Sequence, residues 1–175
     1  EEYPPNNFEE NGKLRGISVD LMERMLKKLN SGQTRRDIRM LPWANAYNKL
    51  LKKKNTLLFG MSRIPARENL FKWVGPIIPI KHVLIARRER NIRIHTIEDM
   101  KRYRIGVIRD DVGETLLLEK GIRKKTLERV PKTIILIKML NAGKIDLWSY
   151  CENVAKWLCK KNGFDPKDYE TIYLL

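Results

Sequence analysis

Apolar positions along this chain switch repeatedly between helical and strand-like spacing. Over residues 17–29, Leu21, Met22, Met25, Leu26 and Leu29 fall three and four apart. That spacing lines one helical face, and Asn30 and Gly32 supply the stop. Residues 38–41 are short and apolar, and Pro42 ends them. Trp43, Ala46, Tyr47, Leu50 and Leu51 then mark a second amphipathic helix. Residues 56–61 and 83–86 read as buried strands, the latter running into Arg87-Arg88.

A second batch of elements follows. Thr96 to Asp99 carries capping-box spacing and predicts a short helix. Residues 104–109 read as a strand, and Asp111 is placed to N-cap a helix bearing Leu116, Leu117 and Leu118. Thr133–Asn141 is helical and Gly143 stops it. Residues 144–148 read as a strand and Glu152–Lys161 as a helix closed by Gly163. One more turn starts at Asp165-Pro166, and residues 171–175 are strand-like. Strands alternating with helices in two batches predict an α/β class with mostly parallel sheets. The natural divide lies near residues 76–90. The expected domains are therefore 1–82 and 83–175, with linking strands near 79–88 and 171–175.

The totals narrow this picture without redirecting it. The 175 residues, 42% hydrophobic and 33% charged, suit one sizeable domain or two small ones with packed cores. No apolar run reaches the ~18 residues of a membrane helix. No leader pattern opens the chain, so a signal peptide is expected to be removed or never made. A formal charge of +15 attracts anions, which makes nucleic acid the rival class of partner. The basic residues are scattered in sequence, however, and no recognition helix or RNP-type aromatic pattern accompanies them. Runs such as Lys52-Lys53-Lys54 and Lys160-Lys161 sit at expected helix C-termini, where cations suit the dipole.

Cys151 and Cys159, eight residues apart in a helical segment, would lie ~12 Å apart along the axis, too far for a disulfide. No Cys/His metal spacing exists, and His82 and His95 stand apart from any recognisable site. There is no phosphate-binding glycine loop and no Ser–His–Asp or Cys–His set. Neither an enzyme nor a cofactor is expected.

Five stretches in order carry a resemblance. They are Glu2-Tyr3-Pro4-Pro5 with residues 11–21, Pro42-Trp43-Ala44-Asn45-Ala46-Tyr47, and Ser62-Arg63-Ile64-Pro65-Ala66-Arg67-Glu68 with residues 71–76. Thr96-Ile97-Glu98-Asp99-Met100 before Arg104-Ile105-Gly106-Val107, and residues 139–148, complete the set. Together they resemble the family 3 extracellular solute-binding proteins, of the type II periplasmic-binding fold.

That resemblance implies two α/β lobes joined by crossing strands, with a small polar ligand captured between them by hinge closure. It implies a periplasmic or extracellular setting, free or membrane-anchored. The partner would be an ABC importer permease or a receptor signalling domain rather than nucleic acid. Set against the family pattern, the chain lacks the first strand and the closing return into lobe I, whose apolar faces a second chain would then cover.

The same resemblance nominates ligand contacts. Arg67 would grip a carboxylate bidentately; the bland alternative is a surface arginine paired with Glu68 or Asp20. Ser62 and Gly60 would present a hydroxyl or open backbone, or merely turn the chain. Tyr3 and Trp43 would pack on the ligand body, although Trp43 also continues its helix's apolar stripe. Asp111 and Val112 open a helix whose amides could meet an anion, but a carboxylate there is expected to cap them itself. Asp111 stands where Thr or Ser is common, Asn45 where Arg is usual, and Cys151 where amino-acid binders carry an Asp for the ligand ammonium. These departures point to a carboxylate lacking an amine, or to another polar solute.

Overall fold

Asn11 and Gly12 both adopt left-handed backbone (φ 51° and 69°) in the computed structural model, which describes residues 1–175. An Asn-Gly pair with this geometry closes a tight hairpin, because both central residues need positive φ. The hairpin joins β1 (Phe8–Glu10) to β2 (Lys13–Arg15) in antiparallel register, Phe8 opposite Arg15. Helix α1 (Ile17–Lys28) follows at once. Its first amides are met by backbone rather than by a capping side chain: Ile17 N–H donates to Pro5 and Ser18 N–H to Asn6. Only glycine fits just before this start. A Cβ on Gly16 would lie 2.2 Å from the Asn6 carbonyl oxygen.

Helix α2 (Trp43–Lys52) begins directly after Pro42, which cannot continue a helix from its N-terminal side. A 3-10 turn over Pro65–Leu70 comes next. The strand expected at 56–61 does not form. Its residues have no strand partner, and Leu57 is exposed. An apolar run without a ladder neighbour has no sheet to join. These elements make one compact unit, Glu1–Pro79; the second unit is Ile80–Leu175.

The second unit is built on a five-stranded sheet in the order β5-β4-β6-β3-β7. Its strands are β3 (His82–Arg87), β4 (Ile105–Ile108), β5 (Leu127–Val130), β6 (Leu147–Cys151) and β7 (Tyr169–Leu174). Strands β5, β4 and β6 form the parallel core that alternation predicts. β3 runs antiparallel to both β6 and β7, so the sheet is mixed. Four helices flank it: α3 (Ile97–Met100), α4 (Val112–Glu119), α5 (Thr133–Asn141) and α6 (Glu152–Lys161). Thr96 caps α3 in a full capping box with Asp99, as its spacing foretells.

Leu84, Ala86, Ile105, Val107 and Leu147 pack with Met100 and Leu117 into one core cluster. Val83, Ile85, Trp148 and Tyr150 are one residue out of step and therefore line the opposite face, also buried. Burial on both faces explains why these strands read as continuous apolar runs. β6 starts three residues later than the sequence suggests. Lys144 N–H and Ile145 N–H are still bonded back to Met139 of α5, which delays the strand. No helix is long and apolar enough to cross a membrane.

Candidate functional site

In the first unit, Trp43 opens α2, and Tyr47 stacks on it one turn later with ring centroids 5.5 Å apart. Arg67 lies on the 3-10 turn and brings its guanidinium over both rings, 5.0 Å from Trp43 and 5.1 Å from Tyr47. One of its N–H groups also points to the Ser62 carbonyl at a long 3.4 Å. Arg67 is only 3% exposed. It is therefore not a surface arginine, and the two carboxylates suggested as its bland partners are held elsewhere. Glu68 takes a two-pronged bond from Arg63, and Asp20 is bonded by Arg35. A weakly hydrated planar cation on aromatic faces keeps its charge at low desolvation cost.

The aromatic set extends through Phe71 to Trp73, edge to face at 5.8 and 5.9 Å, with Arg63 over the Trp73 ring. Tyr3 sits in a tight turn in which Tyr3 N–H donates to the Asn7 carbonyl, 2.6 Å, and the Asn6 and Asn7 amides donate back to Tyr3. Gly60 meets this turn. It has φ 71°, and a Cβ there would come within 3.0 Å of Asn7 Oδ1. The structure thus gathers Trp43, Ser62 and Arg67 into one contact group and sets Gly60 against the turn that carries Tyr3. Tyr47 belongs to the group but escaped the sequence reading, where it counted only as part of the stripe of α2. Its i+4 spacing from Trp43 was the available signal.

In the second unit, Asp111 and Val112 follow β4, and Cys151 ends β6, its parallel neighbour. Both segments therefore emerge at the same end of the sheet. Helix α4 lies close on β6, for a Cβ on Gly113 would meet Ser149 Oγ at 2.6 Å. Asp111 occupies the N-cap position of α4 and is buried, but its side chain makes no capping hydrogen bond. The expected self-capping is thus corrected.

The acid that organises this turn is Glu114, which the sequence did not flag. It is almost fully buried, accepts the Asp110 N–H at 2.6 Å, and is bonded by the Arg129 guanidinium, which also reaches Asp110 Oδ1 at 3.0 Å. Asp110 is held at φ 58°, a conformation that costs a non-glycine residue and persists because Glu114 and Arg129 pin it. Arg129 comes from β5, so no local spacing could reveal the pairing.

Cys151 and Cys159 are both free and buried; they do not share a helix as their spacing suggests, since Cys151 ends β6 and only Cys159 lies in α6. Burial pushes the Cys159 thiol up to about 11, so it stays a thiol at neutral pH. Cys151 stands opposite His82 across the β3–β6 ladder, a pairing that separation in sequence conceals. No group of three or more His, Cys, Asp or Glu could hold a metal.

The comparisons agree with this architecture. The model of the bacterial extracellular solute-binding proteins, family 3, matches residues 1–135. A search among curated protein sequences finds no match. Among solved structures, a histidine kinase sensor domain with similarity to periplasmic binding proteins superposes with TM-score 0.84 at 21% identity. The alignment covers 98% of this chain and 73% of that one. An ancestral arginine-binding protein bound to arginine gives 0.80 at 20% identity, covering 99% and 75%. The arginine-, lysine-, histidine-binding protein ArtJ of Geobacillus stearothermophilus gives 0.77 at 19%, covering 98% and 75%. At these identities the likeness concerns the fold.

Proposed function

The chain belongs to the bacterial extracellular solute-binding proteins of family 3, and from that membership we propose that it captures a small polar, carboxylate-bearing solute by hinge closure. The solute is passed to an importer permease or sensed by a receptor. The carrying observation is Arg67, whose buried guanidinium lies on the Trp43 and Tyr47 rings beside the Ser62 carbonyl. Two flat apolar surfaces with one fixed charge make a recognition group of the kind small-molecule sites use. A guanidinium offers a planar fork that a carboxylate fits, which an ammonium cannot match.

Arg67 is the ligand anchor in this reading, and Trp43 and Tyr3 are walls for its apolar part. Gly60 and Ser62 supply backbone close to it. Asp111, Val112 and Cys151 are proposed ligand contacts on the strength of the family resemblance alone. Position 151 carries a cysteine and not the carboxylate that would pair with an ammonium, so the ligand's carboxylate carries the affinity. The hinge would reside in the strands near 79–88 and 171–175. The domain boundary at 82/83 belongs to the same proposal.

Titration of the whole chain with L-arginine, L-glutamate and succinate, followed by tryptophan fluorescence and thermal shift, tests the reading. At least one of these acids should stabilise the protein. R67M should then weaken it by about 2–4 kcal/mol, roughly 30- to 1,000-fold in Kd, and R67K by less. No response to any of the three, or a response that R67M leaves intact, would sink the proposal.

A further inference from the structure

We infer that the end of the second unit's sheet opposite the Asp111–Cys151 turns is a docking face for an anionic phospholipid membrane surface. The inference rests on strand order. β4, β5 and β6 are parallel, so their starting ends lie together, and β3, antiparallel to β6, finishes at that same end. The residues flanking each of these ends are basic. Arg102 and Arg104 precede β4; Arg123, Lys124 and Lys125 precede β5; Lys144 precedes β6; Arg87 and Arg88 close β3. Helix α6 runs back from the end of β6 and finishes at this end with Lys160 and Lys161. Cations that are scattered in sequence are thus gathered by topology. The opposite end carries Asp110, Asp111, Glu114 and Glu152 and has no comparable excess.

Two of the acids at this end lie beneath the arginines that bond them. Asp146, bonded by Arg90 and Arg104, has a side chain 8% exposed, while those two arginines are 50% and 53% exposed. Glu170 is 16% exposed beneath Arg88 and Arg93, at 61% and 68%. Glu89, 61% exposed beside Arg87 at 27%, is the reverse case, so the end is positive because its cations outnumber its acids.

The face also has the right breadth. Five strands at ~4.8 Å spacing span ~19 Å, a broad end and not a slot for one ion. Polyphosphate chemistry fits such a face, and membership of an extracellular family favours lipid headgroups over nucleic acid as its source. The negative headgroup potential draws clustered cations within about one Debye length, ~8 Å at physiological salt.

The whole chain should co-sediment with phosphatidylcholine vesicles containing phosphatidylglycerol, and release as salt rises. Pure phosphatidylcholine vesicles should not retain it. The exposed triple variant R123Q/K124Q/K125Q should lose roughly 100-fold in partitioning, about fivefold per cation. A variant with equal charge loss in the first unit, K52Q/K53Q/K54Q, should lose less than about threefold if the face is the locus. Circular dichroism of each variant checks that both remain folded. Equal losses from the two variants would reduce the effect to net charge and overturn the inference. So would absence of binding to phosphatidylglycerol, or tighter binding to duplex DNA with the same dependence on residues 123–125.

Discussion

The two units keep their apolar residues in opposite ways. In the second unit the large apolar side chains of β3, β4 and β6 are all buried, and Trp148, Leu84, Ile105 and Leu147 are wholly enclosed; only the edge strands β5 and β7 leave some outside, Leu174 most of all. In the first unit only Val19, Met22 and Trp43 are buried among the apolar residues, while Ile17, Leu21, Leu57, Leu70 and Val74 are exposed. The second unit is therefore held by area removed from water, at roughly 25 cal/mol per Å². The first is held by directional contacts: the Asn-Gly hairpin, the backbone cap of α1, and Arg35 bonded to Leu14, Asp20 and Glu23. Arg67, Trp43 and Tyr47 sit in the less buried unit. The comparison teaches that the rigid sheet and the candidate anchor are carried by different parts of the chain. Substitutions that collapse one should then spare the other.

The sharpest break in that comparison is Trp148→Ala. The indole is fully enclosed and stacked on Tyr150, centroids 5.2 Å apart. Its loss should cost about 3–5 kcal/mol, the range for a large aromatic cut from a core. The fall should appear as a lower denaturant midpoint of the sheet unit. Glu114→Gln should cost somewhat less, about 2–3 kcal/mol. It weakens the bond to Arg129 and loosens the left-handed Asp110. Mixing the same residue into the first unit's behaviour would show as a shifted Arg67-linked fluorescence change, and none is expected.

What the chain disclosed before its structure was known follows the same division. Elements of the second unit were legible because each is buried against neighbours whose period matches its own, as with Thr133–Asn141, Glu152–Lys161 and the capped turn at Thr96. The first unit misled where local pattern outran partners: residues 56–61 look like a strand but pair with nothing. The β1–β2 hairpin was announced by Asn11-Gly12 and went unread, because its strands are only three residues long. Arg67 is singled out as a candidate by its neighbours in sequence. Tyr47 beneath it, Arg129 on Glu114, and the gathered basic end are not, since each depends on which elements the fold makes adjacent.

A gentler probe is pH. The Arg104 guanidinium holds the Asp146 carboxyl below its usual range, with help from the Arg104 amide and Arg90 and against the cost of burial. A depressed folded pKa means that this stabilisation is complete above the ordinary aspartate value of about 3.9. It is withdrawn as pH falls through the lower folded value. The sheet unit should therefore lose stability on acidification below about pH 4. Asp146→Asn should cost ~1–2 kcal/mol at neutral pH and make the acid limb of a stability–pH curve shallower. An unchanged acid limb would mean that the Asp146 pairs contribute nothing to the difference between units.

The smallest effect should come from Val74→Ser. Val74 is 86% exposed and follows Trp73, whose indole N–H donates to the Glu68 carbonyl at 3.1 Å. Removing an exposed isopropyl group takes away almost no buried area, so stability should move by less than about 0.5 kcal/mol. The thermal midpoint should stay put and the tryptophan spectrum should be unaltered. A loss of more than about 1 kcal/mol would show that this side chain is covered in solution. The first unit would then be held by apolar burial as the second is, and the contrast between them would fail.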